Sequence, residues 1–297
     1  MRSSTNPARM PLDNSRRVAV RRIPFVCMLS LSFLAAAAAD TKSEDIVAKH
    51  LDSIGTPEAR AAVKSRALQG TLHFKELIGG MGDATGNWGY VSEQRKSNFV
   101  MKFGSGPWHG ERFAFDGDKT SFAAFTSSHR PSAFGDFILT QDYIIKEGLL
   151  GGEFSTGWTL ENPDRNRIKL EYLGRKQIDG RVLEGVEYFP KGNSDMKVKF
   201  YFDPETFHHV MTVYSLIWQP GVGRDAWDGA NQRQIRYTIE ERFSDFQTDN
   251  AITLPRHYDL RYTQEPQNGS TRGYDWEMTA DKVITNISLD PANLQIK

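Results

Sequence analysis

Along most of the chain after residue 65, apolar and polar side chains alternate one for one. Leu68, Leu72 and Phe74 alternate with Gln69, Thr71, His73 and Lys75, and Phe99, Met101 and Phe103 with Asn98 and Lys102. Phe113 and Phe115 precede the turn Asp116-Gly117-Asp118. The same period runs through Ile168–Tyr172, Met196–Phe202, Ile235–Ile239, Tyr258–Tyr262 and Tyr274–Met278. A period of two puts one kind of residue on each face of a strand, so these segments predict antiparallel strands with one dry and one wet face. Turn chemistry separates neighbours at Asp179-Gly180, Gly192-Asn193, Asp203-Pro204-Glu205 and Asn268-Gly269. About eleven or twelve strands follow, joined as a meander in one domain over residues 40–297. The long segment Gln219–Gln232, with three glycines and Trp227, predicts a loop at a cavity mouth.

Two stretches carry a helical period instead. Ile46, Val47, His50, Leu51 and Ile54 share a helix face that Gly55 and Pro57 end, with a short turn over Glu58–Lys64 after it. Between the two runs of strands, Phe134, Phe137, Ile138, Ile144, Ile145 and Leu149 fall on one face of a helix expected over Ser132–Leu150. Ser132 is its N-cap, and Gly151 and Gly152 supply a left-handed stop. An amphipathic helix in a β protein lays its apolar stripe on a sheet. Pattern alone leaves open whether it is a movable lid or a plug in the core.

A sheet of a dozen strands with one apolar face must curl or meet a second layer. Two helices cover part of that face, so an aromatic-lined hollow is one outcome and a packed core the other. In the first reading Leu72, Phe74, Phe99, Met101, Phe113, Phe115, Val198, Phe200, Phe202, Tyr237, Ile239, Tyr258, Leu260 and Trp276 line a cavity. Phe134, Phe137, Ile138, Ile144 and Ile145 then form its lid.

Charge changes the picture at the N-terminus. The whole chain is formally neutral, with 37 basic and 37 acidic side chains. Six of the basic groups, all arginine, and one of the acidic groups lie in residues 1–39, leaving 31 against 36, a balance of −5. An acidic body argues against nucleic acid. Arg16, Arg17, Arg21 and Arg22, the apolar run Ile23–Leu34 and Ala35–Ala39 read as an export signal cleaved near Ala39. No later run is apolar for long enough to anchor the chain, so the expectation is a periplasmic protein that is not integral to a membrane. Cys27 is the sole cysteine and lies inside the signal, which leaves no thiol chemistry after cleavage.

Catalytic patterns are not evident. There is no nucleophile elbow, phosphate-cradling loop or His-Glu-x-x-His. His208 and His209 are adjacent and in a strand would face opposite ways. Asp116 with Asp118, and Asp203 with Glu205, flank turn residues and read as solvated turns. No enzyme, cofactor or metal site is expected.

The order of several weak motifs resembles the bacterial outer-membrane lipoprotein-sorting proteins of the LolA-like type. A helix ending Ile54-Gly55 precedes Leu68-Gln69-Gly70-Thr71, and Val198–Val210 holds a strand, the Phe202-Asp203-Pro204-Glu205-Thr206 turn and a returning strand. Phe243-Ser244-Asp245-Phe246 with Leu254-Pro255, and Leu289-Asp290-Pro291, resemble the family's last hairpin and its exit. The resemblance implies a half-open antiparallel β-barrel of about eleven strands with a helical lid. It also implies a periplasmic carrier of lipoprotein acyl chains or other lipids, served by envelope donor and acceptor proteins. The family's lid-locking arginine has no matching position here. The chain is longer than that carrier around Gly151–Arg165 and Gln219–Gln232.

Overall fold

A computed structural model describes residues 42–78, 82–104, 109–125, 130–161, 168–191, 195–219, 234–267 and 269–296. The chain divides into residues 1–38 and 39–297, and the described residues all belong to the second unit. The expected export signal, the expected Gly192-Asn193 turn and most of Gln219–Gln232 lie outside the described residues.

Helix α1 covers 42–54 and α2 Pro57–Ala62. Five strands follow: β1 Ser65–Ile78, β2 Asp83–Glu93, β3 Lys96–Phe103, β4 Gly110–Phe115 and β5 Thr120–Ala124. A helical segment then holds α3 Ala133–Thr140, α4 Tyr143–Lys146 and single 3₁₀ turns at Gly152–Phe154 and Thr159–Glu161. Seven strands complete the fold: β6 Lys169–Ile178, β7 Arg181–Phe189, β8 Lys197–Phe202, β9 His209–Trp218, β10 Ile235–Asp249, β11 Ile252–Pro266 and β12 Arg272–Thr285. All twelve pair antiparallel in one sheet, in the order β5-β4-β3-β2-β1-β12-β11-β10-β9-β8-β7-β6. The two halves of the meander grow outward from the β1–β12 pair, so the outer strands β5 and β6 are consecutive in sequence. They do not pair, and the fold is a mainly β, half-open barrel whose connecting segment is helical.

Register puts the predicted apolar positions on one face. Leu72 pairs with Met278, and Phe74 with Trp276. Tyr258 and Leu260 oppose the same Met278 and Trp276 from β11, and Phe99 opposes Phe113. At the β6–β7 turn, Asp179 and Gly180 both take positive φ, which matches the twist of a two-residue hairpin. The α1 face predicted from Ile46, Val47, His50, Leu51 and Ile54 is buried throughout.

The helix expected over Ser132–Leu150 is instead broken in two. The Thr140 hydroxyl donates to the Asp136 carbonyl at 2.8 Å, and Gln141 leaves helical geometry at φ −111°, ψ 47°. Thr-Gln-Asp is a run whose short polar side chains compete with the backbone ladder. The chain restarts at Asp142, whose carboxylate meets Lys146 one turn on at 2.6 Å. The N-terminal end of the expectation holds, whereas the second piece stops at Lys146, before a left-handed Gly148, and not at Leu150. The Ser132 hydroxyl accepts from Gly135 N–H at 2.9 Å, and Gly151 is left-handed at φ 80°.

Candidate functional site

The concave face of the sheet is roofed by residues 132–161. Phe134 packs on Trp276, Phe113 and Tyr262 with ring centroids 5.0, 5.7 and 5.9 Å away. Phe137 lies 5.0 Å from Tyr237. Phe154 meets Trp88, Tyr90, Tyr258 and Phe243, all within 6.2 Å. Of the nineteen wall and lid residues expected from the sequence, eighteen are buried. Tyr237 is half-buried and packs against the same core.

They do not all share one roof. Phe200 sits under Trp158, and Phe202 packs on His50 of α1 at 5.1 Å. The roof also runs past Leu150, where the sequence reading ended it. Phe154, Trp158 and Leu160 are all buried. Gly151 and Gly152 look like a terminator, but they only redirect the segment into 3₁₀ turns that continue across the sheet.

An open hollow was one of the two expected outcomes, and this structure shows the other. The space enclosed by Tyr90, Ser97, Phe99, Phe113, Ile145 and Leu150 is about 10 Å³, room for one water at most. The interior is filled because Phe134, Phe137, Ile138, Ile144, Ile145, Leu149 and Leu150 all point down into the aromatic floor.

The roof is nevertheless a separate layer. Among the described residues, every backbone–backbone hydrogen bond made by 132–161 stays within that segment. Side chains fasten it to the sheet at a few places. At its start, Glu111 of β4 accepts from the Ser132 hydroxyl at 2.8 Å and the Ser132 N–H at 3.2 Å. In the middle, Tyr188 of β7 donates to the Glu147 carboxylate, which also accepts from Lys191 N–H at 3.1 Å. Glu241 of β10 accepts from Gly151 N–H at 2.6 Å, Tyr258 Oη at 2.6 Å and Tyr214 Oη at 2.5 Å. Near the far end, Ser92 and Thr156 share a 2.6 Å bond.

Two of these anchors are fully buried carboxyl groups. Burial pushes Glu111 up to about 7, against the pull of its bonds from Ser132. Burial likewise raises Glu241 to about 7, although three donors favour its charged form. Sequence reasoning missed both, yet each occupies an inward position: Glu111 shares the parity of Phe113 and Phe115, and Glu241 that of Ile239 and Phe243.

Beside the second half of the roof lies a buried polar cluster. His50 Nδ1 meets the Phe207 carbonyl at 2.9 Å, and its Nε2 lies 3.6 Å from the Glu153 carboxylate. Burial lowers His50 to about 3 and raises Glu153 well above the usual carboxylate range, favouring the neutral form of each. His209, fully buried, bonds Thr212 Oγ1 at 2.8 Å, while His208 faces the other way and stacks on Phe246 at 4.2 Å. Among the described residues no group of three or more His, Cys, Asp or Glu could hold a metal ion. The two suspected carboxylate pairs are turn formers. Asp116 accepts from the amides of Asp118 and Lys119, and Asp203 from those of Glu205 and Thr206.

No protein-family model matches the chain, and no curated protein matches it. Several solved structures are similar in fold. A DUF1329 family protein from Desulfovibrio piger aligns with a TM-score of 0.47 at 11% identity, covering 86% of this chain and 97% of its own. A LolA superfamily protein from Nitrosomonas europaea gives 0.42 at 11% identity, over 85% and 97%. A domain from Vibrio parahaemolyticus, described as a candidate outer membrane lipoprotein-sorting protein, gives 0.37 at 10% identity, over 82% and 95%. All three align at 11% identity or less and with TM-scores below 0.5. Among the described residues no helix is long and apolar enough to cross a membrane.

Proposed function

We propose that this protein is a non-catalytic, exported carrier that shelters acyl chains of lipids or lipoproteins between the sheet and a displaceable roof. The observation that carries the reading is the detachment of residues 132–161 from the backbone ladder of the sheet. Opening such a layer breaks side-chain contacts and a handful of polar anchors but no sheet hydrogen bond.

The energetics permit an exchange. Seven buried roof side chains, Phe134 to Leu150, contribute roughly 2 kcal/mol each, about 14 kcal/mol gross. A long acyl chain of some fifteen methylenes contributes about 12 kcal/mol at ~0.8 per methylene. A single chain can therefore offset displacement of the Phe134–Leu150 part of the roof but not of the whole roof, which also buries Phe154, Trp158 and Leu160. The aromatic wall would then meet the chain through Phe74, Phe99, Phe113, Tyr258 and Trp276, and the roof stripe would close over it. In this reading residues 1–39 direct export and the body works in the periplasm, receiving and handing on cargo through envelope partners.

A second reading is favoured by the close packing itself: a self-filled interaction module of the envelope, in which the roof never leaves. Titration of the delipidated protein with a fluorescent fatty acid separates the two. A carrier gives saturable binding that unlabelled fatty acid displaces, and a Tm that rises with ligand. Absence of saturation, with a constant Tm across lipids, would overturn the carrier reading in favour of the module. Mass spectrometry of organic extracts provides a second check, because a carrier copurifies with lipid.

A further inference from the structure

At the end of the sheet where β1 begins, and where the β2–β3 and β4–β5 turns lie, there is a groove of about 1030 Å³. Five cations face it: Arg60 and Lys64 from α2 and its exit, Arg66 from β1, and Arg95 and Lys96 from the β2–β3 turn. Among the described residues, Glu161 is the one carboxylate in its lining. Among the described residues, Arg60, Lys64, Arg95 and Lys96 have no ion-pair partner. Arg60, Lys64 and Arg95 donate to the Gly55, Ala61 and Lys146 carbonyls, but those bonds leave the gathered positive charges without counter-charge, so the arrangement points outward, to an anionic ligand.

The floor supplies a second and independent observation. Arg66 is 1% exposed, although a guanidinium is almost never buried without full pairing. It donates to the Glu153 carbonyl at 2.5 Å and lies 3.8 Å from the Glu161 carboxylate. Its Nε, the indole N–H of Trp158 and one oxygen of Glu161 are buried without a hydrogen-bond partner among the described residues. All three residues line the groove. Orphaned buried donors are costly and uncommon in native proteins, and here two of them lie beneath an unpaired cationic rim.

We propose that this groove binds a phosphate-type anion, either as free phosphate or as the headgroup of an anionic phospholipid. Planar guanidinium forks suit the several oxygens of such a group, and Lys64 and Lys96 add point charge. Arg60, Arg95 and Trp158 are all in the lining of the groove. The site stands apart from the acyl-chain reading: failure of fatty acid to bind beneath the roof leaves it untouched.

The test is calorimetric titration of the purified protein with inorganic phosphate and, separately, with short-chain dihexanoyl-phosphatidylglycerol below its micelle concentration, each at low and at elevated salt. Saturable binding that weakens with salt is expected for at least one ligand. Binding of phosphate alone assigns the site to the free anion, and binding of the lipid alone assigns it to a headgroup. The double substitution R95E/K96E changes two exposed residues that have no carboxylate partner among the described residues; it gives up one 3.4 Å bond from Arg95 to the Lys146 carbonyl, so Tm should fall only slightly. Its affinity should fall about tenfold or more, the loss of one charge-assisted hydrogen bond. Saturation by neither anion, or wild-type affinity in R95E/K96E, would overturn the proposal.

Discussion

The substitution Glu241→Gln tests the buried anchor at the centre of the roof. The Glu241 carboxyl has no exposure to solvent and accepts from Gly151 N–H and two tyrosine hydroxyls. Burial raises it from 4.5 to about 7. Each unit corresponds to ~1.36 kcal/mol, so the proton-linked contribution is about 3 kcal/mol. Its sign follows from proton counting. Between pH 4.5 and about 7 the folded protein holds a proton that the unfolded chain has released, so stability falls as pH rises through that window. Below 4.5 the contribution is fully present, and above about 7 it is gone.

Urea unfolding at a series of pH values between 4.5 and 8 gives the measurement. The wild-type slope alone is ambiguous, because other buried groups titrate in the same range. Glu111 and Glu153, also raised by burial, act in the same direction as Glu241. His50 and His209, lowered by burial, oppose it, since the unfolded chain takes up their protons below 6.5. The difference between variant and wild type isolates the one group. From pH 4.5 to 8 the wild type should lose about 3 kcal/mol more than Glu241→Gln, which keeps a neutral, hydrogen-bonding side chain in place. Parallel curves for the two proteins would show that Glu241 does not carry this proton, and the account of the anchor would fail.

Three further substitutions test the roof. Phe134→Ala removes a fully buried ring from between Trp276, Phe113 and Tyr262 and should cost about 3–5 kcal/mol in urea unfolding. Ser132→Ala deletes the N-cap of α3 and both side-chain bonds of that hydroxyl, for a loss of about 1–2 kcal/mol, with faster amide hydrogen exchange confined to α3. Gly151→Ala puts a side chain on a left-handed residue, with its Cβ 3.0 Å from the Tyr90 ring, and should lower stability by about 1–2 kcal/mol.

The strands that announce themselves in the sequence are those with three successive large apolar inward positions, such as β3, β8 and β12. Strands β2, β5 and β7 do not show such a pattern. In β2 the inward series runs Ala84, Gly86, Trp88, Tyr90. A Cβ at Gly86 would come within 2.1 Å of the Lys102 carbonyl, so close approach of backbones takes the place that an apolar side chain would fill. The edge strand β5 is five residues long with one aromatic ring, Phe122, too short for a period to emerge. The lid stripe was legible because burial selects one helix face whether or not the helix is continuous. The break at Gln141 and the continuation through Phe154 and Trp158 were not: the first comes from the polar Thr140-Gln141-Asp142 run, which leaves the apolar spacing intact, and the second depends on the shape of the floor beneath.

What the alternation pattern did hold, unrecognised, is a set of exceptions. Arg66 falls on the parity of Leu68 and Leu72, Glu111 on that of Phe113, and Glu241 on that of Ile239. A charge on the dry face is disfavoured by several kcal/mol unless something specific meets it. Each of these three is met by the non-sheet part of the chain: Arg66 by the Glu153 carbonyl, Glu111 by Ser132, Glu241 by Gly151. The inward charges therefore mark where the roof touches down. Two of the landings are closed by hydrogen bonds to the roof. The third, Arg66, keeps an unpartnered Nε and lines the cationic groove, which is why the ligand proposal rests there and not on the aromatic interior.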